Sequence, residues 1–144
     1  MTDHGLSGDL DVFSIDIDGN DLWVWQALSA ARPRLVIAEY NSVFGAERSL
    51  AVPYDPKFVR ARGPGIRLYY GASLRAFTVV GQAMGYRLVA VEPRGANAYF
   101  LRDDQAPEIP AVDPVFAFRG AARADYLPEL EAVVAARGLA LVEL

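Results

Sequence analysis

Apolar and polar positions divide the chain into short blocks of two kinds. Val12, Phe13, Ile15 and Ile17 form a brief apolar run of the type found in a strand buried on both faces, and it ends among Asp16, Asp18, Gly19, Asn20 and Asp21. Leu22, Val24, Trp25 and Leu28 then follow a helical period, which predicts a helix from Asp21 to about Ala31. Asp18, Asn20 or Asp21 supplies its N-cap, and Arg32-Pro33-Arg34 stops it. Leu35 to Ala38 is a second apolar run, closed by Glu39-Tyr40-Asn41. A helix between two such strands implies a right-handed βαβ unit with parallel strands. That places Asp16 and Asp18 beside Glu39 and Asn41 on one edge of the sheet. Ligands bind outside the carboxyl ends of parallel strands, so this edge is the expected functional one.

Residues 42 to 70 carry Pro53, Pro56, Gly63, Pro64 and Gly65 without sustained periodicity. Loops of this length inside a small domain are functional or disordered, and Tyr54, Phe58, Tyr69 and Tyr70 favour an ordered lid or substrate loop. Ser73 is placed to cap a helix reaching about Met84, with Leu74, Phe77, Val80 and Met84 on one face and Gly85 as its stop. Tyr86 to Val91 and Ala98 to Leu101 read as strands. The Glu92-Pro93-Arg94-Gly95 turn between them is too short for a parallel return, so the pair is antiparallel. Pro107, Pro110 and Pro114 mark an extended arm or linker, followed by a helix over Tyr126 to Arg137 and a short strand over Leu139 to Leu144. The chain thus divides into an α/β unit over 1–105 and an arm with a helical tail over 106–144.

Composition narrows the partners. The chain has 144 residues, 53% hydrophobic and 22% charged, which suits a globular domain with a substantial core. A net charge of −4 and arginines scattered along the sequence argue against a nucleic-acid surface. The polar start of the chain and the lack of any apolar run near ~20 residues give no signal peptide and no membrane span, so the expected location is cytoplasmic. With no cysteine there is neither a disulfide nor a thiolate metal site. His4 is the only histidine and sits in the polar lead-in, which all but removes His-based catalysis.

Oxygen chemistry is left. Asp16 and Asp18, two apart, share a face if both keep strand geometry. With Glu39 and Asn41 they would form an oxygen-only site for Mg²⁺ or Ca²⁺, able to lower the pKa of a substrate hydroxyl. The plainer role for these groups is to cap the helix and bind loop amides. Glu39 would act as a general base if burial raises its pKa; equally, it belongs to a strand-end hydrogen-bonding cluster. Tyr54, Tyr69, Tyr70 and Ser73 are candidates to line an acceptor pocket, against the alternative of aromatic packing anchors. Trp23 and Trp25 are core or interface residues, and Asn97 satisfies a turn.

Five blocks in succession carry a resemblance: 14–21 (SIDIDGND), 36–41 (VIAEYN), 70–74 (YGASL), 85–89 (GYRLV) and 96–102 (ANAYFLR). Together they resemble the C-terminal half of FkbM-like methyltransferases dependent on S-adenosylmethionine, over about residues 9 to 103. The resemblance implies a partial Rossmann-like sheet. It also implies methyl transfer to an oxygen of a small molecule or sugar, with Asp16 and Glu39 catalytic and Asp16 and Asp18 toward the cofactor. The family's Gly-rich cofactor turn has no counterpart here, and no G-x-G-x-x-G pattern occurs. The expectation is therefore a truncated methyltransferase. A non-catalytic remnant that dimerises through an exposed sheet edge is the alternative. The Asp16-x-Asp18-Gly19 run also resembles the first motif of haloacid-dehalogenase-type phosphatases, although Asn20 stands where a Thr is usual and Lys57 lacks the context of their lysine.

Overall fold

A computed structural model describes residues 8–144; the first seven residues of the lead-in, His4 among them, lie outside the described residues. The elements run β1 (Gly8–Ile15), α1 (Asp21–Gln26), β2 (Ala31–Glu39), β3 (Leu50–Ala51), α2 (Leu74–Ala83), β4 (Tyr86–Val91), β5 (Asn97–Arg102), α3 (Pro114–Ala117), α4 (Ala121–Ala124), α5 (Leu127–Ala136) and β6 (Val142–Glu143). The fold is mixed α/β. Four strands form one sheet in the order β1-β2-β5-β4, with β1 and β2 parallel and the other two pairings antiparallel; β3 and β6 form a small second sheet.

The helix after β1 is shorter than its apolar pattern predicts. It ends at Gln26, and β2 already begins at Ala31. Arg32-Pro33-Arg34, expected to stop a helix, is instead strand. Proline has no N–H to give a ladder. Pro33 is tolerated because β5 pairs with β2 only over Leu35 to Glu39, leaving β1 as the one strand partner at Pro33. The Pro33 carbonyl is used, accepting the buried Tyr86 hydroxyl at 2.8 Å.

One face of the sheet carries the main core. Val36, Phe100 and Leu88 lie in register across it, and α1 and α2 cover them with Trp25 and Phe77. Trp25 is fully buried, its ring 4.9 Å from Phe100 and edge-on to Tyr86 at 5.5 Å, so it is the core residue and not a stacking platform. Burying a side chain of this size contributes roughly 3 kcal/mol, and α1 spans only six residues, so this contact holds the helix to the sheet. Trp23, on the adjoining face, is half-buried and donates Nε1–H to the Val52 carbonyl at 2.8 Å.

A second, smaller core of Val43, Phe44, Leu50, Val52, Leu68 and Leu130 joins the long loop to the tail. Residues 42–70 are ordered by it, with short 3₁₀ turns at Ser42–Phe44 and Ile66–Leu68. The proline-rich segment expected as a free arm lies along β4: Val112 donates its amide to Leu88 O at 2.9 Å, and the Arg87 guanidinium binds the carbonyls of Gln105 and Ala106 at 2.8 Å. The tail therefore packs on the loop and on the β4 edge. The outer edge of β1 is left without a strand partner among the described residues, with Val12 exposed. Asp9 and Asp11 place charge along that edge, the usual guard against strand pairing. Among the described residues no helix is long and apolar enough to cross a membrane.

Candidate functional site

Parallel pairing sets Ile15 against Ala38, so the residues that follow each strand emerge together: Asp16 beside Glu39, with Asn97 opposite Glu39 on β5. Asp21, at the first position of α1, reaches back into the same turn. Its Oδ1 accepts the Ile17 amide at 3.0 Å and its Oδ2 the Gly19 amide at 2.9 Å, and the side chain is 1% exposed. The result is a ring of three carboxylates, Asp16, Asp21 and Glu39, each offering an oxygen within 4.8 Å of the others.

Crowding like charges at a half-buried position raises the cost of ionisation. The Glu39 carboxyl is pushed up to about 7, first by burial, then by the charges of Asp16 and Asp21, with Asp18 adding to them and Arg60 pulling the other way. A glutamate poised there exchanges a proton at neutral pH, which an ordinary surface carboxylate does not.

The other expected residues go elsewhere. Strand geometry ends at Ile15, and Asp18 adopts a left-handed conformation at φ 61°, so Asp16 and Asp18 do not share a face as two successive strand positions would. Asp18 instead binds Arg60, Oδ1 to Nη1 at 2.5 Å. Asn41 is fully buried; it donates to the Leu68 and Tyr70 carbonyls at 2.8 and 2.9 Å and accepts the Val43 amide at 3.1 Å, so the amide is committed to ordering the loop. Ser73 caps α2 as expected, accepting the Ala76 amide at 3.0 Å, and also accepts the Leu50 amide at 3.0 Å. No exposed hydroxyl is left for a ligand there. Asn20 makes no cap bond. Its side chain donates to the Asp55 carbonyl at 2.8 Å and accepts the Asp55 amide at 3.4 Å, tying the long loop to the β1–α1 turn. Tyr54 is exposed, and Tyr69 donates its hydroxyl to the Ala140 carbonyl at 2.8 Å.

Tyr70 does belong to the site's surroundings, though as a platform. Its buried ring lies 3.5 Å beneath the Arg60 guanidinium carbon, and its hydroxyl accepts from Arg123 at 3.2 Å. Arg60 is the residue that the sequence does not single out: an arginine in an aperiodic loop gives no signal until the loop folds back onto Asp18.

The oxygen set could surround a hard cation, but Asp21 already spends both oxygens on amides, leaving the exposed Asp16 and the half-buried Glu39 more readily available. A nucleotide-like cofactor is a poorer fit. Gly19, the glycine of the turn after β1, is covered by the Phe58 ring, where any Cβ would collide, and its amide is bound to Asp21. The turn offers no open cradle. A cleft of about 630 Å³ lies on the long loop between Phe58, Ile66, Tyr69 and Leu139, and neither Asp16 nor Glu39 lines it. Compared with protein-family models, characterised proteins and solved structures, the chain finds no significant match.

Proposed function

We propose that this chain supplies the hydroxyl-activating side of a group-transfer site, in which Glu39 accepts the proton of an alcohol on a small molecule or sugar. The observation that carries the reading is a carboxylate at the carboxyl end of β2, ringed by Asp16 and Asp21 and pushed up to about 7 by its burial and then by their charges. The reaction that best suits it is O-methylation of the kind implied by the five sequence blocks, on a Rossmann-like sheet of which β1, β2, β5 and β4 form one part. Burial and then the charges of Asp16 and Asp21 raise the basicity of Glu39, and Asp21 also fixes the turn through Ile17 and Gly19. Arg60 limits the rise of the Glu39 pKa and holds Asp18 out of the ring.

The covered Gly19 turn offers no cradle for the methyl donor, and no step is assigned to it. The part of the described residues is acid–base: ionised Glu39 takes the hydroxyl proton as the oxygen becomes nucleophilic, a contribution of about 10²–10⁴ in rate for a well-placed base. The test is turnover with S-adenosylmethionine over a panel of sugar and small-molecule alcohols, wild type against Glu39→Gln. The reading requires kcat to fall by at least about 100-fold with the fold intact, and kcat to rise with pH through a midpoint near the Glu39 value of about 7. Wild-type turnover in Glu39→Gln would overturn it.

A further inference from the structure

Arg60 does more than hold Asp18. It opens one wall of a cavity of about 300 Å³ lined by Asp18, Arg60, Ala61, Arg62 and Arg67. Three guanidinium groups and one carboxylate line it, an excess of two positive charges on a chain whose net charge is −4. Folding creates this excess. The Arg60-Ala61-Arg62 run is brought against Arg67 by the Gly63-Pro64-Gly65 turn, with Gly63 and Gly65 both at positive φ. Three arginines lining one recess repel each other, and the single Asp18 carboxylate offsets only part of that.

The arrangement is partly built in advance. Arg60 is stacked on Tyr70 at 3.5 Å, paired with Asp18 at 2.5 Å and tied through Nε–H to the Arg67 carbonyl at 3.4 Å. Those contacts leave its Nη2 donors unassigned. Among the described residues neither Arg62 nor Arg67 has an ion-pair partner or a side-chain hydrogen bond, and both are exposed to the cavity side and solvent. Guanidinium forks match the oxygens of a tetrahedral anion, and a phosphate monoester carries about −1.5 to −2, which balances the excess of two. Glu39 does not line the cavity, but two residues that do, Arg60 and Asp18, act on its carboxyl through their charges.

We propose that the Arg60–Arg62–Arg67 cavity binds the phosphate group of a phosphorylated small molecule, and so fixes the acceptor whose hydroxyl is presented to Glu39. The link to Glu39 rests on the function proposed above; the phosphate site itself does not.

Calorimetric titration of the protein with inorganic phosphate and with glucose 6-phosphate, with glucose as the uncharged control and glucuronate as the carboxylate control, tests the phosphate site apart from the function of Glu39. Saturable binding of both phosphates and none of glucose is the result expected. The Arg62→Gln/Arg67→Gln double variant changes two exposed side chains without ion-pair partners and is checked for fold by circular dichroism. It should weaken phosphate binding at least ten-fold. Asp18→Asn, which removes the competing carboxylate and keeps a residue tolerant of φ 61°, should tighten it. Glu39→Gln must keep phosphate binding. Absence of saturable binding to wild type, an unchanged affinity in the double variant, or glucuronate bound as tightly as glucose 6-phosphate would each overturn the phosphate assignment. Phosphate binding with turnover unaffected by Glu39→Gln would leave this site standing and remove the proposed function instead.

Discussion

Replacing Glu39 by Gln should stabilise the protein, and only on the alkaline side. In the folded chain the carboxyl titrates at about 7 against an ordinary value of 4.5, so between those two pH values the native state binds a proton that the unfolded chain has already lost. Stability therefore falls as pH rises through this window. Above it the ionised carboxylate carries the full cost of its burial beside Asp16 and Asp21. At ~1.36 kcal/mol per pH unit the ceiling is about 3 kcal/mol. Glu39 is only half-buried, and solvent screening reduces the figure to roughly 1–2 kcal/mol. Gln keeps the shape and loses the charge. Urea or thermal unfolding of both proteins at pH 4, 6 and 8 should show coincident stabilities at pH 4, diverging until Glu39→Gln is ahead by about 1–2 kcal/mol at pH 8. In a domain of this size that is a Tm higher by roughly 3–6 °C. Parallel profiles at all three values, or a less stable variant at pH 8, would refute the reasoning that crowding and burial load this carboxylate.

Three further substitutions probe the frame around it. Asp21→Ala strands the buried Gly19 amide and the partly buried Ile17 amide and should cost about 1–3 kcal/mol by urea unfolding, while lowering the Glu39 titration midpoint because one of the charges that raises it is gone. Ser73→Ala removes the α2 cap and the Leu50 amide's acceptor, with an expected loss of about 1–3 kcal/mol and no change in the affinity for any acceptor; a changed affinity at intact stability would return Ser73 to the binding site. Gly95→Ala places a methyl group 2.5 Å from the Arg119 carbonyl oxygen at a φ of 75°, so about 2–4 kcal/mol of destabilisation is expected from chemical unfolding, and a neutral result would mean that the turn and residue 119 separate freely.

Where local chemistry decides an element, the sequence is a good guide to it. The Ser73 hydroxyl and Gly85 punctuate α2, the four-residue turn after Val91 forces the β4–β5 hairpin, and the alternation of apolar runs with a helix gives the parallel β1–β2 pair. Pro33 misleads, because a proline that would stop a helix can also sit in a strand where the sheet narrows to one partner, and only the register shows that β5 does not reach it. The site divides in the same way. The meeting of Asp16 with Glu39 follows from parallel register, which the apolar pattern predicts. The removal of Asp18 depends on one backbone angle, and that of Asn41 on carbonyls 27 and 29 residues away. Arg60, Arg62 and Arg67 fall within eight residues, but no period points them to one recess, because what gathers them is the folding of an aperiodic loop held by Asn20 on Asp55 and by Asn41 on Leu68 and Tyr70.

The most direct test of the account is the titration of the Glu39 side-chain carboxyl followed by ¹³C NMR, in wild type and in Asp16→Asn. A wild-type midpoint near 7 that moves down toward the ordinary glutamate range in Asp16→Asn is the result the carboxylate ring requires. A wild-type midpoint already in the ordinary range, unmoved by Asp16→Asn, would contradict it and leave Glu39 as a strand-end hydrogen-bonding group with no part in accepting a proton.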